Sequence, residues 1–186
     1  MRGRNQRSCR PLCRRGRKKR DPEEPEDHAL GRSRGGLGTK IHLLCDGNGV
    51  PLHFEVTAGQ VHESKAFEDV MEAVEIPQPK GRPRRRPDKL AGDKAYRMPR
   101  ILDWLRNHKI EPVIPRKANE KVKPGRPETF DEEAYKGRNV IERCVGWLKE
   151  CRRIGTRFEK LAVHFHGMLQ LAMIRRYLKM LFSDRA

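Results

Sequence analysis

Two β-rich runs joined by an Asn-Gly loop most limit what this chain can fold into. KIHLLCD (residues 40–46) and LHFEVTAG (52–59) flank GNGV. That pattern predicts a hairpin, because Asn and Gly tolerate the positive φ that tight antiparallel turns need. The texture then alternates. KAFEDVMEAV has apolar residues at helical spacing, with Ser64 as its expected N-cap. LAGDKAY is a short strand ending in an acid. Pro99 suits the first turn of a helix whose Ile101, Leu102 and Leu105 face the core, and PVI is another short strand. A helix containing Glu142 and a long amphipathic core helix from about residue 161 to 182 close the chain. The order hairpin, helix, strand, helix, strand, helix, helix predicts an α/β fold with a mixed sheet flanked by helices.

The remaining segments are polar. Residues 1–20 hold ten Arg or Lys and no acid, and DPEEPED at 21–27 holds five acids. Neither can build a core, so residues 1–30 are expected to be a flexible basic-then-acidic segment ahead of one domain at 31–186. The basic run suits a nucleic-acid-binding arm or, equally, an unselected leader. IPQPKGRPRRRPDK and the stretch from Arg116 to about Pro127 read as exposed basic loops.

Charge narrows the partner. Lys and Arg number 42 against 25 acids, a net of +17, which favours a polyanion such as nucleic acid or an anionic membrane. No window approaches the roughly 20 apolar residues of a spanning helix, and the N-terminus lacks a secretory h-region, so no membrane role and a cytoplasmic location are expected. Five cysteines without an even framework fit a reducing compartment. The spacings of Cys9, Cys13, Cys144, Cys151, His164 and His166 match no common zinc module, and no structural zinc is expected.

Two acids carry the candidate chemistry. On one continuous helix, Tyr135, Arg138, Glu142 and Lys149 fall within roughly a 60° arc, beside the apolar arc of Ile141, Cys144, Val145 and Leu148. A carboxylate flanked by a phenol, a guanidinium and an ammonium suits a metal ion with nucleic-acid phosphates around it; a solvated face with salt bridges is the alternative. Asp93 stands at the C-terminal end of a strand, where α/β folds place ligand-binding groups, with Lys94 and Tyr96 able to meet phosphates. Asp93 and Glu142 on separate elements form a candidate two-carboxylate site for hard divalent cations. Paired Mg²⁺ ions roughly 3.5–4 Å apart can activate water or a 3′-hydroxyl and stabilise the departing oxygen. His62 and Glu63, after the second strand, suit either a role near the cleft or helix capping. His42, His53 and His108 read as packing or surface histidines.

DPEEPEDHALGRSRGGLGTKIHLLCDGNG, FEVTAGQVHES, LAGDKAY, PVIPRK and RNVIERCVGWLKECRRIGTRFEKLA together resemble the DDE transposases of bacterial insertion sequences, of the insertion-sequence-five type within the insertion-sequence-four superfamily. The resemblance runs from about residue 21 to 182. It implies a ribonuclease-H-like core, Mg²⁺ dependence and cut-and-join activity on transposon DNA, with a homo-oligomer or a mixed oligomer as partner. Asp93 matches the second catalytic acid and Glu142 the third. Arg32, Arg34, Lys40, Lys94, Tyr135, Arg138 and Lys149 are the expected DNA contacts. The family's first acid lies on an opening strand, in an Asp-x-Ser/Thr setting. Residues 1–20 have no acid, Asp21 and Asp27 sit in a Pro/Glu-rich run, and Asp46 sits at the hairpin turn. The expectation is therefore the C-terminal part of a transposase, lacking the first strand, from a truncated or frame-interrupted gene. A non-catalytic DNA-binding or subunit-binding fragment that modulates transposition is the alternative, and a basic RNA-associated protein a more distant third.

Overall fold

The computed structural model describes residues 28–33, 36–120 and 130–182. The arm and acidic run expected at 1–27 lie outside the described residues, as do Arg34 and most of the second basic loop.

Strands β1 (Gly31–Ser33), β2 (Gly36–Cys45) and β3 (Pro51–Ala58) form a sheet in that order, with β1 antiparallel to Gly36–Gly38 of β2. Strands β4 (Lys89–Ala91) and β5 (Glu111–Val113) pair in parallel. Antiparallel and parallel strands are both present, as expected, but among the described residues they form two sheets, not one mixed sheet. The hairpin between β2 and β3 closes as its sequence predicts. Asp46 Oδ1 accepts from Asn48 N at 2.9 Å and Val50 N at 2.8 Å, and Gly49 takes φ 80°. Those bonds commit the Asp46 carboxylate to the turn.

The helices are α1 (Phe67–Glu72), α2 (Pro99–Asn107), α3 (Glu132–Lys136), α4 (Asn139–Glu150), α5 (Arg152–Gly155) and α6 (Ala162–Phe182). α2 follows its sequence closely. Pro99 opens it, and Ile101, Leu102 and Leu105 are buried. His108 ends it, its Nδ1 donating to Trp104 O at 2.7 Å and its ring stacking on that indole at 3.8 Å. α1 begins differently from expectation. His62 caps a 3-10 turn at Glu63–Lys65, its ring nitrogen accepting from Ser64 N, and α1 then starts after Ala66 with no side-chain cap. Ser64 cannot serve as the N-cap because its hydroxyl bonds to His62 Nδ1 at 2.7 Å.

Contacts divide the chain into two compact units. One comprises His42–Glu55 and His62–Cys144. Its core is Phe67, Met71, Ile101, Leu102, Leu105, Ile110 and Ile114, with Leu44, Leu90, Tyr96 and Trp104 packed against it. Trp104 meets Phe67 edge-on at 5.5 Å, a favoured aromatic geometry. Helix α2 and strand β5 are thus fixed behind the end of β4, and that anchors Asp93.

The other unit comprises the described residues of Met1–Ile41, Val56–Val61 and Val145–Ala186. Arg157 holds it together. Its guanidinium donates to His28 O at 2.6 Å, Ala29 O at 3.2 Å and Lys160 O at 3.2 Å, and also bonds to Thr39 Oγ1, while its Nε donates to Glu159 O at 3.0 Å. The guanidinium lies 4.8 Å from the Phe165 ring centroid. Gly59 is needed nearby, since a Cβ there would stand 2.9 Å from the carbonyl oxygens of Gly31 and Gly38. α6 spans the range its sequence predicts. Only one side is core: Phe165, Leu169, Ala172 and Met173 are buried, whereas Val163, Leu171, Ile174, Leu178, Leu181 and Phe182 are exposed.

Candidate metal and nucleic-acid site

Asp93 follows β4 by two residues and starts a 3-10 turn at Lys94–Tyr96. Its Oδ1 accepts from Lys94 N at 2.6 Å, and its carbonyl accepts from Tyr96 N at 2.9 Å. The turn fixes the carboxylate while leaving it exposed. Four residues on, Arg97 is buried beneath the loop, donating to Ile114 O at 2.9 Å and to Glu120 at 2.6 Å. That ion pair holds the Glu120 carboxyl below its ordinary range, chiefly through the Arg97 hydrogen bond.

Asp93 opens onto a cavity of about 160 Å³ that is also lined by His42, Glu63, Tyr96, Arg138 and Ile141. Burial pushes the Tyr96 hydroxyl above its usual pKa, and the charges of Glu63 and Asp93 add to the effect. Tyr96 therefore stays a neutral phenol at physiological pH, able to donate a hydrogen bond. Glu63 belongs to this wall. In the sequence it is ambiguous between cleft and cap; the cap comes from His62, and Glu63 faces the cavity.

The stripe from Tyr135 to Lys149 is not one helix. Tyr135 lies in the last turn of α3, which ends at Lys136; Gly137 and Arg138 form a turn, and α4 starts at Asn139. Gly137, whose helical propensity is about 1 kcal/mol poorer than that of Ala, marks the break. The expected four-residue arc on a single helix is corrected accordingly. Three of its members still meet. Arg138 lies 5.4 Å from the Tyr135 ring centroid and donates to Glu142 Oε1 at 2.7 Å. Arg138 is thus shared by the Asp93 cavity wall and the Glu142 ion pair. Lys149 sits seven residues beyond Glu142 in α4 and is exposed. Cys144 is fully buried, as its apolar arc implies, while Cys151 is only half-buried and precedes α5.

The other expected DNA contacts fall on different elements. Arg32 is exposed on β1, and Arg34 lies outside the described residues. Lys40 directs its ammonium to Val61 O at 2.8 Å, a structural tie that competes with any phosphate contact. Lys94 is exposed beside Asp93. Arg157 and Arg97 carry much of the local architecture but give no periodic signal in the sequence, because their partners, mostly backbone carbonyls, follow no helix or strand repeat.

Carboxylates on separate elements, with cations beside them, have the donor chemistry of a hard divalent ion site. Among the described residues no group of three or more His, Cys, Asp or Glu is placed to hold a metal. Asp93 and Glu142 thus fit such an ion in donor type and fall short in number. Among those residues no helix is long and apolar enough to cross a membrane.

An acid just after a parallel strand pair, an arginine-bridged acid on a helix and a surplus of cations are thus combined in one chain. Comparison names the family. The family model described as "Transposase DDE domain" matches residues 11–176, and the chain belongs to that family, whose members depend on a divalent metal. The chain is 32% identical over 131 residues to the "Putative transposase for insertion sequence element IS402" of Burkholderia cepacia, an overlap covering 70% of this chain and 57% of that protein. The chain thus spans little more than half the length of that curated relative. No solved structure matches it.

Proposed function

We propose that this chain provides the second and third acids of an insertion-sequence DNA transposase of the insertion-sequence-five type, on a ribonuclease-H-like scaffold. The observation that carries the proposal is the placement of Asp93 at the end of the parallel β4–β5 pair, on a cavity it shares with Arg138, which in turn holds Glu142. Asp93 and Glu142 would hold Mg²⁺, and the pair would need a further acid to complete the donor set. Bound there, the ion supplies activation of water or a 3′-hydroxyl and stabilisation of the departing oxygen.

The chain's own residues bind and orient. Arg138 counters the Glu142 charge in the resting state and passes to a DNA phosphate when one arrives, since both acceptors suit the guanidinium fork. Lys94 and Lys149 neutralise neighbouring phosphates, and Tyr135 positions a phosphate or stacks on a base. Neutral Tyr96 donates within the cavity. Transposon ends are the substrate, and assembly with further transposase subunits completes the reading, in which this chain is the C-terminal part of the enzyme.

Mn²⁺ binding followed by electron paramagnetic resonance, with nicking of a cognate end duplex alongside, tests the assignment. Asp93→Ala and Glu142→Ala should each lower Mn²⁺ affinity at least tenfold. Mn²⁺ binding indifferent to both substitutions would remove these residues from the metal site.

A further inference from the structure

The basic loop between α1 and β4 lies in the same unit as Asp93 and takes no part in the site described above. Residues 75–89 read EIPQPKGRPRRRPDK, six cations against two acids. Their backbone is closed on itself. Ile76 N donates to Arg84 O and Arg84 N to Ile76 O, each at 2.9 Å, which ties off residues 77–83 as a loop. Pro77, Pro79, Pro83 and Pro87 fix φ at four positions, and Gly81 turns the chain at φ 93°.

Both acids serve the shape of this loop. Glu75 pairs with Arg85, and Asp88 accepts from Arg84 at 2.7 Å, while Arg84 Nε also donates to Arg86 O at 3.1 Å. Lys80, Arg82 and Arg86 remain, exposed and without an acidic partner among the described residues. Arg82 and Arg86 each precede a proline, which holds their backbone extended. Three cations thus stand on a frame that is ordered before any partner arrives, so little freedom is lost when one binds.

From this arrangement we infer that the loop is a second contact for duplex DNA, gripping the sugar-phosphate backbone away from the reacting phosphate. Its chemistry selects that partner. Phosphate oxygens match the unpaired guanidinium and ammonium groups. Residues 75–89 contain no Phe, Tyr, Trp or His, so the loop lacks the stacking platform by which single strands are held. Contacts of this kind position a duplex without reading its sequence.

Position separates this contact from the one at Asp93. Arg86 precedes β4 and Asp93 follows it, so the two lie beyond opposite ends of that strand. The chain between them spans at most about 25 Å. Duplex DNA rises about 3.4 Å per base pair, so one duplex reaches from Asp93 to the loop within about seven base pairs. That register rests on the transposase reading of Asp93, whereas the affinity of the loop for a duplex does not.

The test uses the full chain and a fluorescent random-sequence DNA duplex of about thirty base pairs, with EDTA present so that no metal-dependent step contributes. Replacing Lys80, Arg82 and Arg86 together with Gln should weaken binding at least tenfold at low salt. The slope of log affinity against log salt should become shallower by about 2.7, for three phosphates at about 0.9 each. Arg82→Lys with Arg86→Lys should keep the slope, because counterion release follows charge. Adding Lys94→Gln to the triple variant should reduce the slope by about 0.9 more, since contacts at opposite ends of β4 act independently. Phenylglyoxal modification of the unsubstituted protein, read by mass spectrometry, should be slowed at least fivefold at Arg82 and Arg86 by the duplex, a readout that needs no variant. Mn²⁺ affinity should be the same with and without the triple substitution, so failure here and failure of the metal assignment are read separately. A triple-variant slope within about 0.5 of the original, or modification at Arg82 and Arg86 unchanged at saturating duplex, would overturn the proposal. So would a triple variant that loses affinity for single-stranded RNA and none for the duplex.

Discussion

Arg138 stands between Tyr135 and Glu142, donating to the carboxylate at 2.7 Å with the phenol ring centroid 5.4 Å from its guanidinium carbon. If this cation passes from the carboxylate to a DNA phosphate as proposed above, its removal should move two affinities in opposite directions. With Arg138→Ala the carboxylate loses a competitor for metal. An exposed pair of this kind is worth about 0–1 kcal/mol, so Mn²⁺ affinity should rise up to about fivefold. DNA affinity should fall, with the slope of log affinity against log salt shallower by about 1. Metal titration and DNA anisotropy on the same preparation check both, and changes of the same sign would refute the shared role.

Lys94 and Lys149 are exposed, with no carboxylate partner among the described salt bridges. Replacing either with Gln should weaken binding of duplex DNA equally for end and unrelated sequences, since phosphate contacts carry no base information. Each should reduce the salt slope by about 1. A sequence-selective loss would instead place the lysine against a base edge.

Arg157 joins segments more than a hundred residues apart in sequence, tying residues 28, 29 and 39 to residues 159 and 160. Lysine keeps the charge but lacks the planar fork, so Arg157→Lys leaves several carbonyls of this cluster without their donor. Hydrogen bonds to charged groups contribute about 1.5–3 kcal/mol each, and partial compensation by Lys and water puts the expected loss at about 2 kcal/mol. Urea unfolding measures it. A change below about 0.5 kcal/mol would show that the cluster is incidental to stability.

The sequence makes some of this legible and hides the rest for physical reasons. α2 is readable because Pro99 fixes its start and one apolar face carries Ile101, Leu102 and Leu105; the hairpin is readable because Asp46, Asn48 and Gly49 are turn residues by their own chemistry. β1 is not readable: three residues of GRS have no periodicity and owe their pairing to β2. The continuous helix expected from Tyr135 onward breaks at Gly137, where local propensity competes with a favourable pattern on either side. Asp93 and Glu142 are visible through their settings, whereas the cavity role of Glu63 depends on which of two adjacent residues, His62 or Glu63, caps the 3-10 turn. Periodicity cannot decide that, because the choice rests on the Ser64 hydrogen bonds.

Acid should expose one further feature of the Asp93 unit. The Lys89 ammonium donates to Asp131 at 2.8 Å, and this hydrogen bond is the main cause holding the Asp131 carboxyl below its ordinary range; the Arg97 guanidinium does the same for Glu120. A carboxyl depressed in the folded state binds fewer protons there than in the unfolded chain. Its contribution is therefore complete above the ordinary value of about 4 and is lost as pH falls through the lower folded value. Lys89 is raised by the same bond with Asp131, so its contribution is complete below its ordinary value and fades as pH rises through the folded one. The urea midpoint should accordingly be flat from about pH 5 to 9 as far as these groups decide it, and fall on both sides. Asp131→Asn separates charge from capping, because Asn can still accept from Ala134 N, as Asp131 does at 2.9 Å to start α3. That variant should show a shallower decline between pH 5 and pH 3 than the unsubstituted chain, with the helical signal of α3 retained. An unaltered acid limb would assign the pH dependence to Glu120 and other carboxylates instead.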